Sequence, residues 1–182
     1  MSLADLQNKM SKREVTGMKF RRIKFTLFPG LLLCGIGVAQ GPIQPVQWSS
    51  TVFPKGHVKP GNKIAIELSA EIQDGWHVYG LKQSSGGPTP LRISLDENGT
   101  AQAVGVASGT APAKSHDSSF NLDTEVYSHS FSVHVPALVK QHAAPGDQSV
   151  PVSIRFQACS DRTCLPPRTL HIAVPVEVVS GT

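Results

Sequence analysis

Ile64-Ala65-Ile66-Glu67-Leu68-Ser69-Ala70-Glu71-Ile72 is the most regular run in this 182-residue chain. Its even-numbered members are all apolar and its odd-numbered members are small or polar, the period of two expected of a strand with one face buried. Ile64, Ile66, Leu68, Ala70 and Ile72 are therefore expected to point inward.

The same alternation recurs downstream. Leu91-Arg92-Ile93-Ser94-Leu95 and Phe131-Ser132-Val133-His134-Val135 each place apolar residues on one side. Val150, Val152, Ile154 and Phe156 alternate with Pro151, Ser153 and Arg155, and the last run sets Leu170, Ile172, Val174, Val176 and Val178 against His171, Pro175 and Glu177. Turn residues separate these runs. Asn98-Gly99 lies between Leu91–Leu95 and Ala101–Val106 and predicts a tight hairpin there. Lys59-Pro60-Gly61-Asn62 and Ala144-Pro145-Gly146-Asp147 are further turns. Pro151 and Pro175 each lack a ladder donor, which predicts edge positions or bulges. From Gln40 onward no stretch has an amphipathic helical pattern. Seven to nine short strands in about 140 residues predict an all-β, immunoglobulin-like β-sandwich. The longest stretch without alternation, Ser108 to Glu125, is expected to be a loop with an exposed aromatic, Phe120, at its tip; such long loops are commonly functional.

The N-terminal part reads differently. Lys19, Arg21, Arg22 and Lys24 precede an apolar run from Phe25 to Val38 that ends in Gly37-Val38-Ala39. A basic region, a short apolar region and a small-x-small exit predict a cleavable secretory signal, cut after Ala39, with Met18 as an alternative start. The apolar run is shorter than the roughly 20 residues a spanning helix needs, and it contains Pro29. Cys34 follows Leu33 rather than a small residue, which argues against lipidation. The expected organisation is an extension and signal over 1–39, a flexible lead over 40–47 and one domain over 48–182.

Removing the signal changes the charge. The first 39 residues hold seven of the 17 Lys and Arg and two of the 13 Asp and Glu, leaving ten and eleven, so the formal charge moves from +4 to −1. The basic pI thus belongs to the targeting segment, and no electrostatic footprint for nucleic acid is left. Cys34 is lost as well. One cysteine pair then stands in an oxidising compartment, with no membrane span in the mature chain.

That pair is Cys159-Ser-Asp-Arg-Thr-Cys164, followed by Leu165-Pro166-Pro167. Four intervening residues allow the chain to turn back to bridging distance. In the chain-entropy account a ring of about six residues contributes only ~2 kcal/mol, against ~4.7 for a loop of 100. A structural staple would gain more by joining distant strands, whereas a tight ring before a stiff diproline is suited to presenting sulfur. Spacing alone leaves three readings open: a redox pair, a structural disulfide in a non-catalytic binding module, or part of a copper or other metal carrier. For the last, the seven histidines provide no helical ligand pair and no His-Glu-x-x-His motif, and His129 and His134 would point to opposite faces of a strand. No Gly-x-Ser-x-Gly elbow suggests a hydrolase. No cofactor is expected.

Three segments in order resemble a known family. Phe156-Gln157-Ala158-Cys159 through Cys164-Leu165-Pro166-Pro167 is similar to the active-site segment of the N-terminal domain of the thiol:disulfide interchange protein DsbD. Asp74-Gly75-Trp76-His77-Val78-Tyr79 resembles that family's Asp-Gly-aromatic-x-x-Tyr strand. His116-Asp117-Ser-Ser-Phe120, followed by Glu125-Val126-Tyr127, resembles its cap loop and the strand leaving it. The resemblance runs from about Trp48 to Val179. It implies an immunoglobulin-like periplasmic domain that takes electrons from a thioredoxin-like partner or a membrane donor and passes them to other periplasmic thiol proteins. By the same resemblance Cys159 and Cys164 are the redox pair, and Cys164 forms the mixed disulfide that Cys159 resolves. Phe120 is the cap aromatic, and Tyr79, Trp76, His116 and Asp117 are its neighbours. Read from residue type alone, Trp76 and Tyr79 serve equally well as core aromatics, and His77 and His116 as solvated side chains. The family's full-length protein continues into membrane and thioredoxin domains, so with the chain ending at Thr182 the expected electron donor is a separate protein.

Overall fold

The computed structural model describes residues 43–181; the expected signal, its cleavage point and Cys34 lie outside them. Among the described residues every regular element is a strand. The strands are β1 (Val46–Phe53), β2 (Lys63–Ile72), β3 (Trp76–Tyr79), β4 (Arg92–Leu95), β5 (Ala101–Ala103), β6 (Ser108–Gly109), β7 (Ala113–Asp117), β8 (Leu122–Tyr127), β9 (Phe131–Val139), β10 (Gly146–Phe156), β11 (Ala158–Ser160) and β12 (Arg168–Val178).

All named strand pairs are antiparallel, and they form three sheets. One has the order β1-β2-β9-β5, with β6 also on β9; the second is β12-β10-β4; the third is β11-β3-β8-β7. The alternation read from the sequence decides which side chains meet. Ile64, Ile66, Leu68, Ala70 and Ile72 of β2 are buried, as are Phe131, Val133, Val135, Ala137 and Val139 of β9 and Val150, Val152, Ile154 and Phe156 of β10. These residues join Val174, Val176 and Val178 of β12 in one core. The result is an all-β, immunoglobulin-like sandwich, with Cys159 on β11 of the third sheet and Cys164 four residues beyond that strand.

Four local expectations are corrected. Asn98-Gly99 does not close a hairpin, because β4 pairs with β10 while β5 pairs with β9. The chain crosses between sheets there. Asn98 serves the crossing with its side chain: its Oδ1 accepts from the amides of Thr100 and Ala101, and its Nδ2 donates to the Asp96 carbonyl. Ser108 to Glu125 is not a loop but contains β6, β7 and most of β8, with β7 and β8 forming a hairpin. β7 is exposed along most of its length, so it has no apolar alternation to betray it. Pro151 sits in the central strand of its sheet. Its missing donor faces the point where β4 has ended, and its carbonyl accepts from the Asp96 amide just beyond that end. Pro175 lies on the outer strand β12, as expected. His129 falls between β8 and β9 rather than on a strand.

Candidate functional site

β3 is short but engages both of its faces. Trp76 packs against the main core and Val78 lies within it. His77 and Tyr79 lie on the alternate face. β11 runs antiparallel beside β3 with Ala158 opposite Val78, Cys159 opposite His77 and Ser160 opposite Trp76. Directly opposed residues share a face, so Cys159 stands with His77 and Tyr79. Ala158 faces the main core.

Beyond β11 the chain folds back within four residues. The Ser160 amide donates to the Thr163 carbonyl at 2.8 Å, and the Ser160 hydroxyl accepts from the amides of Arg162 and Thr163. The Leu165 amide donates to the Ala158 carbonyl at 2.9 Å, closing the turn behind Cys164. Leu165 then packs on the main core, which anchors the exit. Inside this ring Cys159 and Cys164 are bonded, with Sγ–Sγ 2.06 Å and Cα–Cα 4.0 Å. Their environments differ sharply. Cys159 is 1% exposed, whereas Cys164 is open to solvent.

Cys159 belongs to a second, small apolar cluster with Tyr79 and Val126, on which Phe120 packs. Phe120 comes from the tip of the β7–β8 hairpin, whose last paired residues are Asp117 and Leu122. Asn121 adopts φ +51°, the left-handed conformation that Asn tolerates and that lets the tip close in four residues. The Phe120 ring meets Tyr79 edge-on, centroids 6.2 Å apart. Asp117 ties the two together. Its Oδ2 accepts the Tyr79 hydroxyl at 2.6 Å, and its Oδ1 accepts from the amides of Ser119, at 2.9 Å, and Phe120. The lid is thus fastened to the strand beneath it by one carboxylate.

The electrostatics follow from this packing. Burial, then the Asp117 carboxylate as hydrogen-bond acceptor and as charge, pushes the Tyr79 hydroxyl well above its ordinary range. Burial pushes Asp117 upward, but the Tyr79 hydroxyl, the two amides and nearby His77 outweigh it and hold the carboxyl below its usual value. A cavity of about 220 Å³ opens between the lid and the ring, bordered by His77, Tyr79, Asp117, Cys159, Asp161 and Cys164. No group of three or more His, Cys, Asp or Glu among the described residues is disposed to hold a metal ion.

Of the residues singled out from the sequence, Cys159, Cys164, Phe120, Tyr79 and Asp117 come together. His116 stands at the rim, exposed, with its Nδ1 3.3 Å from Asp123 Oδ1 across the hairpin. Trp76 lies on the opposite face of β3, packed against the main core. The residue not foreseen is His77, read from its type as solvated. Its ring meets Tyr79 edge-on at 5.2 Å, and its Nε2 is buried with no hydrogen-bond partner. Burial lowers its proton affinity more than the charges of Asp117 and Asp161 raise it. The alternation Trp76-His77-Val78-Tyr79 held the signal, since a strand that buries Trp76 and Val78 on one face puts His77 beside Tyr79.

Comparison with known proteins matches the N-terminal domain of the thiol:disulfide interchange protein DsbD over residues 47–175. Among solved structures, the chain is similar to the DsbD N-terminal domain of Neisseria meningitidis in the reduced form, with 18% identity, covering 62% of this chain and 78% of that one, at a TM-score of 0.45. It is also similar to the N-terminal periplasmic domain of ScsB from Proteus mirabilis, with 14% identity over 74% of this chain and 47% of that one, at a TM-score of 0.48. Among curated proteins none matches the chain. With 129 consecutive positions matched and a bonded cysteine pair inside them, the chain belongs to the family of the DsbD N-terminal domain, a family of thiol:disulfide interchange.

Proposed function

We propose that the domain relays electrons in the periplasm through Cys159–Cys164, accepting them from a thioredoxin-like protein or a membrane donor and giving them to other thiol proteins. The observation that carries this reading is the asymmetry of the pair: one cysteine sealed under a small apolar cluster, the other open to solvent. An incoming thiolate must approach a sulfur along the S–S axis, and the open partner, Cys164, is the one it can reach. Attack there forms a mixed disulfide on Cys164 and expels Cys159 as the leaving group. A second thiol of the donor then attacks its own bridged sulfur, releasing the dithiol form of the domain and a donor disulfide. In the forward transfer the Cys164 thiolate attacks an acceptor's disulfide, and Cys159 resolves the product. Phe120 and Tyr79 shield the buried sulfur, which limits loss of electrons to stray oxidants between encounters.

Export through the N-terminal signal puts this chemistry in the periplasm, and no helix among the described residues is long and apolar enough to cross a membrane. The test is the reduction potential of the pair, measured by equilibration with glutathione or a thioredoxin-like protein. A relay is expected to lie among the oxidoreductases, at roughly −270 to −120 mV; a value well below about −300 mV belongs to inert structural bridges and would sink the proposal.

A further inference from the structure

We infer that His77 is the proton acceptor for Cys159 when that cysteine resolves a mixed disulfide held on Cys164. The inference rests on the exchange reading above and adds to it the fate of one proton. Register places His77 directly opposite Cys159 on the same face of the β3–β11 pair, and both side chains border the cavity beside the disulfide. Cβ atoms so paired are roughly 5 Å apart, within reach of an imidazole and a thiol.

The need for such a group follows from the burial of Cys159. A thiol in apolar surroundings holds its proton more tightly than the ordinary value of about 8.5, yet only the thiolate attacks. Solvent reaches Cys159 poorly, so a local base is required. In the Nδ1–H tautomer His77 has the free lone pair for it, at Nε2. Its buried Nε2 has no partner in the disulfide form, in which neither sulfur carries a hydrogen. Reduction creates the missing donor, the Cys159 S–H.

The charged and titratable groups around the ring suit a base rather than an acid. Tyr79 on β3 is held protonated and neutral. Burial, the dominant influence, keeps the imidazole neutral and able to accept, while Asp117 at the end of β7 and Asp161 after β11 favour the imidazolium once it forms. The steps balance. The Cys164 thiolate attacks a partner disulfide and releases one partner thiolate. Cys159 S–H passes its proton to His77 Nε2. The Cys159 thiolate attacks Cys164 Sγ, the Cys159–Cys164 bond forms as the Cys164–partner bond breaks, and the second partner thiolate leaves. His77 returns its proton to solvent.

The test uses the reduced whole chain mixed with 5,5′-dithiobis(2-nitrobenzoate), whose two thionitrobenzoate equivalents leave in separate phases. The first reports attack by Cys164 and the second reports resolution by Cys159. His77→Gln is expected to slow the second phase by about a hundredfold, the lower range of general-base contributions, and to leave the first unchanged. In the parent protein the second-phase rate should level off above the proton affinity of His77, which lies below about pH 6.5. In the variant it should keep rising until the thiol itself ionises. His77→Phe preserves an aromatic ring without the lone pair and should reproduce the defect. Either variant retaining the parent's second phase and plateau overturns the inference, and so does equal slowing of both phases, which would mark His77 as a packing residue. If the parent releases only one equivalent, the exchange reading itself falls and this assignment with it.

Discussion

Replacing Phe120 by alanine isolates what the lid does. The ring is partly buried on Tyr79, Val126 and Cys159. Complete burial of a phenylalanine side chain is worth up to ~3 kcal/mol, so a partly buried one truncated to its Cβ forfeits about 1.5 kcal/mol. Loss of the edge-on contact with Tyr79 adds ~0.5–1.5 kcal/mol. The other fastenings survive, because Asp117 still holds the Tyr79 hydroxyl and the tip amides. If the lid opens before a small thiol reaches the buried sulfur, a loss of about 2–3 kcal/mol raises the open fraction, and with it the rate of attack at Cys159, by roughly thirty- to a hundred-and-fifty-fold. The assay is the rate of reduction of Cys159–Cys164 by excess glutathione at neutral pH, with the adduct trapped and mapped. Adducts should form on Cys164 in the parent and on both cysteines in Phe120→Ala. Phe120→Leu, which keeps apolar bulk, should fall between. An unchanged rate with adducts still confined to Cys164 refutes the lid.

Other outcomes are expected from the same geometry. Leu68→Ala, at a position fully buried in the main core, should lower stability by ~2–5 kcal/mol in urea unfolding, whereas Cys159→Ser/Cys164→Ser should cost only ~2 kcal/mol; a much larger cost for the serine pair would mark the bridge as a staple. The chain has two tyrosines, and burial first of all raises both Tyr79 and Tyr127, so native protein should show little tyrosinate absorbance at about pH 10, where free tyrosine is half ionised. Since their folded values are raised, the stability they contribute is intact below about pH 10 and declines as pH climbs above it, an effect Tyr79→Phe should reduce. Asp117 has the opposite sign: its folded value is depressed, so its contribution is present at neutral pH and disappears as pH falls through the carboxylate range. Asp117→Asn should therefore narrow the difference in stability between neutral and acid pH.

How much could be read in advance depended on whether information was local. Alternation in β2, β9 and β10 is a property of single runs, and it located the core face of each correctly. Pairing is not local, so Asn98-Gly99 looked like a hairpin turn although β4 and β5 belong to different sheets. Its Asn98 side chain instead organises a crossing, a use of asparagine with the same local appearance. β7 escaped notice for a related reason: Ala113-Lys114-Ser115-His116-Asp117 is exposed at the sheet's edge and is held by β8 alone, so burial selected no pattern in it. At the site, the cysteines, Phe120 and Tyr79 were visible through motif and resemblance. His77 was not, because its importance lies in standing opposite Cys159, a relation that exists only once β3 and β11 pair.

The division of labour along β3 explains how one small domain can be both rigid and reactive. Val78 lies wholly within the main core while the next residue, Tyr79, floors the cysteine cluster, so the ring rests on a strand the sandwich itself holds. The lid has no such footing. β7 bonds only to β8, and Phe120 reaches the site from a four-residue tip fastened by Asp117 and a single aromatic contact. Swinging the tip and β7 away breaks few contacts and none in the main core, placing it at the low-energy end of local motions. The Cys159 sulfur can thus be uncovered and covered again for a few kcal/mol while the strands that aim the pair stay in place. A disulfide tying β2 to β10 could not behave this way, since its opening would draw on the main core.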